Sequence, residues 1–146
     1  MENLNSYRLV DKSEFDEVNR LAEEAKQTAK IATTDAIEQQ LTKMKDFINN
    51  FIANKNNEED DIENYAYSFG SLFGNLIKTK YDWEWYQIIV DGEEFYCIAS
   101  PKQRACCICH NYFYSILEGS HNNNFKLLFN MIKKDYPSSW NFMVLS

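Results

Sequence analysis

The stretch WEWYQIIVDGEEFYCIASP, from Trp83 to Pro101, constrains the fold more than any other part of the chain. Asp91-Gly92 is a strong signal for a two-residue turn of the primed type, which needs positive φ at its central residues. The flanking runs are rich in β-branched and aromatic residues, which suit a pleated surface. Such a turn pins the register, so Val90 should face Glu93, Ile88 should face Phe95 and Tyr86 should face Cys97. Side chains alternate along a strand. One face then carries Tyr86, Ile88, Val90, Phe95, Cys97 and Ala99. The other carries Trp83, Trp85, Gln87, Ile89, Glu94, Tyr96 and Ile98. Neither face is polar, although a small sheet with helices on one side normally turns a polar face outward. Two explanations stand: helices or the C-terminal tail cover both faces, or the Trp83, Trp85 and Tyr96 face is partly exposed and binds a partner, with Glu94 beside it.

Upstream, the apolar spacing is helical. Ser13 reads as an N-cap, with Glu14 and Asp16 in the first turn where the helix dipole favours anions. Phe15, Val18, Leu21 or Ala22, Ala25 and Ala29 follow. Asp35 and Glu38 resemble a capping box for a second helix with Ile37, Leu41, Met44, Ile48 and Phe51 or Ile52 on its apolar face. Spacing alone leaves open whether the two segments form one long helix. Asn57 can cap a third helix, whose first turn is the run Glu58, Glu59, Asp60 and Asp61. Gly70 and Gly74 share a face of that helix, four residues apart. Each costs about 1 kcal/mol against alanine there, which predicts close approach of another element. After the hairpin, Ser100-Pro101 ends a strand, and Ala105 to Cys109 makes a third. Helices follow from His110 to Gly119 and through Phe125, Leu128, Phe129 and Ile132. Pro137 stops the last. Trp140, Phe142 and Val144 are expected to dock, with a fourth strand one way of doing so. The whole is an α+β domain spanning residues 1–146: N-terminal helices, a three- to four-stranded antiparallel meander and two shorter C-terminal helices.

Composition bounds the function. The chain has 146 residues, a net charge of −7 and a pI near 4.8. A basic footprint for nucleic acid is therefore not expected. No stretch has the length of apolar sequence that a membrane helix needs, and the N-terminus lacks the pattern of a secretory signal. A cytoplasmic protein is the expectation. Cys97, Cys106, Cys107 and Cys109 crowd one region and do not form a disulfide framework, so reduced thiols are expected. On a strand, Cys107 and Cys109 would face one way and Cys106 and His110 the other, which suits core packing better than a tetrahedral metal site. A metal site and a reactive thiol stay open as alternatives. The acidic run from Glu58 to Asp61 is accounted for by the helix dipole. No nucleophile elbow, phosphate loop, dinucleotide fingerprint or zinc-protease motif is present, so no catalytic residue is assigned and no cofactor is expected.

Gly70, Gly74, Trp83, Asp91-Gly92, Ser100-Pro101 and the helix ending at Gly119 form a pattern over about residues 60–135 that resembles a group of small bacterial domains of unknown function. Members of such groups, like other small acidic bacterial proteins, are often immunity proteins that neutralise a toxin. The resemblance implies a non-enzymatic chain whose partner is a toxin domain, and it carries over no catalytic residue. The contact residues expected for that partner are Trp83, Trp85, Tyr96 and Glu94 from the hairpin, with Glu58, Glu59, Asp60 and Asp61. Aromatics anchor interfaces, and acids steer a basic partner. The other readings are a small adaptor or structural interaction protein and, further off, a metal- or thiol-dependent enzyme.

Overall fold

The structure is a computed structural model that describes residues 1–54 and 58–146. Its elements in chain order are β1 (Leu4–Leu9), α1 (Lys12–Thr28), α2 (Ile37–Ala53), α3 (Glu59–Tyr81), β2 (Glu84–Val90), β3 (Glu93–Ala99), β4 (Ala105–Cys107), α4 (Cys109–Glu118), α5 (Phe125–Met131) and β5 (Met143–Val144). The strands form one sheet in the order β1-β2-β3-β4-β5. The first four are antiparallel neighbours, and β5 lies parallel to β4. The α+β class is therefore as expected. The three- to four-stranded antiparallel sheet is corrected to five strands of mixed direction.

The hairpin has the expected register, with Val90 opposite Glu93, Ile88 opposite Phe95 and Tyr86 opposite Cys97. Asp91 and Gly92 take φ of 50° and 78°, the backbone of a primed turn. The N-terminal segment clasps this turn. Asn5 Oδ1 accepts from the Gly92 amide at 2.9 Å, and the Asn3 carbonyl accepts from Asp91 N at 3.1 Å. Strand β1 has no counterpart in the sequence reading. All its residues except Leu4 are exposed, so backbone pairing with β2 holds it and it carries no buried stripe.

Three helix starts differ in detail. Helix α1 is capped by Asp11, not Ser13: Asp11 Oδ1 accepts from Glu14 N at 2.8 Å, and Glu14 Oε1 accepts from Asp11 N at 2.9 Å. This reciprocal pair satisfies two end amides, which Ser13 at that position would not. The first two helical segments are separate, with Lys30 at φ 57° in the break. The cap of α2 is Ala36, whose amide donates to Gln39 Oε1 at 2.9 Å. Asp35 sits one residue earlier and instead receives Ala32 N and Lys43 Nζ, so the expected Asp35–Glu38 box does not form. The expected cap Asn57 lies outside the described residues. Strand β4 ends at Cys107, and Cys109 already opens α4.

Helix α3 is the hub, buried almost continuously from Ala66 to Ile77 and packed on α1 and α4. Its glycines meet what the sequence predicted. A Cβ at Gly74 would fall inside the Trp85 indole, and one at Gly70 would lie 3.0 Å from the Cys109 backbone and from the His110 ring. Both faces of the sheet are covered. The helices bury Trp83, Trp85, Ile98 and Cys107 on one side. On the other, Phe142 from the tail closes a smaller cluster of Ile88, Cys97, Ala99 and Cys106, flanked by Leu4, Tyr86 and Phe95. Trp140 stacks on Tyr136, whereas Val144 stays exposed.

Candidate interaction cleft

A cleft of about 760 Å³ opens between α1 and α3 above the helix-covered side of the sheet. Val18 and Leu21 give it an apolar wall. Tyr96 from β3, Tyr67 from α3 and His110 from α4 give it aromatic ones, and Glu14, Glu17, Arg20 and Glu24 supply its charge. A second depression of about 270 Å³ adjoins it and holds Glu59, Glu63 and Tyr114. Tyr67 and His110 line both, so they form the saddle between them.

The charges come from helix starts and from one helix face. Glu14 is the reciprocal capping residue of α1, and its two oxygens also take the Arg8 guanidinium at 2.7 and 3.0 Å. Tyr96 Oη donates to Glu14 Oε2 at 2.5 Å and to Glu94 Oε1 at 3.0 Å. The Arg8 hydrogen bonds pull the Glu14 carboxyl down to about 2, opposed by burial and helped by the Asp11 amide and Tyr96. Burial, and then the two carboxylates that accept from it, push the Tyr96 phenol well above its ordinary value. Further along α1, Arg20 forks onto Glu17 with bonds of 2.9 and 2.5 Å and reaches Glu24 at 2.7 Å. Tyr114 Oη donates to Glu59, which raises the phenol and ties α4 to the first turn of α3.

His110 is held as the neutral imidazole, its value lowered to about 4 by burial. Its Nε2 lies 3.4 Å from Ser71 Oγ, and its ring centroid is 4.6 Å from that of Tyr67. Ser71 is fully buried, so its hydroxyl is closed to a substrate entering the cleft. The cysteines divide between the two sides of the sheet. Cys97 and Cys106 belong to the outer cluster, and Cys107 and Cys109 lie beneath the helices. All four are buried thiols, and Cys97 and Cys109 are raised above the ordinary thiol value, Cys97 chiefly by its contact with Cys106 and Cys109 chiefly by burial. His110 does not join Cys106, because the chain has already turned into α4. Among the described residues no group of three or more His, Cys, Asp or Glu is placed to hold a metal ion.

The expected contact residues separate. Trp83 and Trp85 are each 1% exposed, which corrects the expectation of a partly exposed tryptophan face. Trp85 Nε1 donates to Asn75 Oδ1 at 3.0 Å, and Trp83 packs edge-on to Tyr136. The Trp85 ring fills the space that Gly74 of α3 leaves, and both tryptophans are buried, so neither has a surface for a partner. Tyr96 does line the cleft, and Glu94 is exposed beside it. Glu59 lines the second depression, while Glu58, Asp60 and Asp61 are exposed around it at the start of α3. The sequence reading missed Tyr67, Glu63, Glu17 and Glu24. One signal was present: Tyr67 is a large aromatic off the apolar stripe of Tyr65, Ala66, Phe69 and Phe73. Comparison with family models, with curated proteins and with solved structures returned no match to this chain.

Proposed function

We propose that this protein is a non-enzymatic binding protein of the immunity type, which neutralises a toxin domain by direct contact and needs no cofactor. The observation that carries the reading is the carboxylate-rimmed, aromatic-lined cleft between α1 and α3, with Tyr67 43% exposed at its saddle. Rim carboxylates steer a basic partner into encounter, and a tyrosine that keeps an apolar body and a polar tip is a good interface anchor. The four buried thiols suit a reducing compartment, and the proposed site of action is the cytoplasm. No described helix is long and apolar enough to cross a membrane.

The test is growth rescue. Cells producing a toxic domain encoded beside the gene for this chain should survive when the chain is co-expressed. The purified pair should associate more slowly as salt rises, because exposed charges are screened beyond about 8 Å at physiological ionic strength. Charge reversal at Glu17, Glu24 and Glu63 should slow association in the same sense. Failure of the wild-type chain to rescue or to bind such a domain would overturn the reading.

A further inference from the structure

We infer that the partner places a basic side chain, arginine in preference to lysine, on the open face of Tyr67, at the saddle between the two depressions. This rests on the reading of the protein as a binding protein and adds what the cleft selects. Tyr67 has its ring against His110 and is 43% exposed, so it presents an accessible aromatic surface to the groove. Its neighbours set the sign of the charge it will accept. The two depressions are lined by five carboxylates, Glu14, Glu17, Glu24, Glu59 and Glu63, and by one guanidinium, Arg20. Arg8 neutralises Glu14 from outside the cleft, and Arg20 is shared by Glu17 and Glu24. Taking Arg8 and Arg20 against the five carboxylates leaves a net charge of −3 around Tyr67.

An anion is repelled here, and an apolar side chain would bury carboxylates without pairing them. A cation gains from the carboxylates and from the negative face of the tyrosine ring together. A guanidinium suits the site better than an ammonium, because it is planar, stacks on a ring and forks onto a carboxylate while it does so. The cleft already shows the forked part of this geometry in the two-pronged bond of Arg20 to Glu17.

The experiment uses short synthetic peptides titrated into the isotopically labelled full chain and followed by NMR. Hexa-arginine should shift the signals of Tyr67, Glu63 and His110, bind more tightly than hexalysine, and lose affinity as salt rises. Hexaglutamate should not bind. Tyr67→Ala should weaken hexa-arginine about tenfold, the size of a partly desolvated cation–ring contact, while Tyr67→Trp keeps or improves it. Glu63→Lys should weaken binding with Tyr67 intact, which supplies a second variant should Tyr67→Ala fold poorly by circular dichroism. Shifts spread over the acidic surface, equal affinity for the lysine peptide, or an affinity indifferent to Tyr67→Ala would each overturn the inference. Growth rescue that survives Tyr67→Ala would overturn the anchor and leave neutralisation standing. Peptide binding at Tyr67 without any rescue would support the site and overturn the neutralising role.

Discussion

His110 is the residue whose surroundings and chemistry are most at odds. Burial holds its folded value at about 4, against an ordinary value of 6.5. Between those limits the unfolded chain binds a proton that the folded chain refuses, so stability rises with pH across this window. Acid should therefore weaken the fold. Lowering the pH from 6.5 towards 4 should remove on the order of 3 kcal/mol at its lower end. The carboxylates that share its surroundings, Glu59 and Glu63 in one depression and Glu14, Glu17 and Glu24 in the other, work against that loss by favouring the imidazolium. Glu14, lowered to about 2, adds acid sensitivity of its own, but only once the pH falls below the ordinary carboxylate range. Urea unfolding of the wild type and of His110→Asn at pH 5 to 6.5 separates the two effects. The wild type should lose stability across that range and the variant should not. Parallel curves would show that His110 is accessible to protons in the fold.

Among the elements, the contact of α3 with the sheet decides most. The chain spends two glycines in a long helix, and the Trp85 indole occupies the space where a Gly74 side chain would stand. Alanine at Gly74 would gain about 1 kcal/mol of helix propensity. It would also drive a methyl group into a ring fixed by burial and by its bond to Asn75. Overpacking of this kind costs about 1–3 kcal/mol, so the clash should win and Gly74→Ala should lower the melting temperature. In a Trp85→Leu background the same substitution should be neutral or stabilising, since the obstacle has gone. Trp85→Leu alone should destabilise, and it is expected to act through the core and not through partner affinity. A Gly74→Ala penalty that is unchanged in the double variant would place the strain elsewhere. The hairpin is a second element fixed by local geometry, because its turn sets both register and face.

At the scale of the whole molecule, the sheet separates two apolar clusters, and the cysteines sit in both. Cys97 and Cys106 are shielded by the docked tail through Phe142, whereas Cys107 and Cys109 lie under the helices. A thiol-reactive dye should therefore find no fast-reacting cysteine in the folded protein and four in denaturant without reductant. Because Phe142 belongs to the outer cluster, while Tyr136, Trp140 and Leu145 of the same tail pack on the other, mutation of Phe142 to Ala should speed labelling of Cys97 and Cys106 more than that of Cys107 and Cys109. Mass spectrometry of the labelled peptides reads the difference. Equal acceleration at all four would mean that the two clusters open together.

The hairpin register, the glycine face of α3 and the helical stripe of α1 were legible in the sequence because each rests on local geometry: a turn type, a missing Cβ, a periodicity. Strand β1 was not, since an exposed edge strand has no apolar pattern and takes its stability from pairing with residues some eighty positions away. Nor could local pattern choose between two uses of the tryptophans. Alternation put Trp83, Trp85 and Tyr96 on one face, but only the packing of α3 determines that the two tryptophans are sealed while Tyr96 reaches a cleft. The cleft itself joins α1, α3, β3 and α4, and its charge comes from residues that in sequence look like capping groups and helix surface. Periodicity says which side of an element is apolar; which parts of the polar side are brought together, and around what, is decided by how the elements stack.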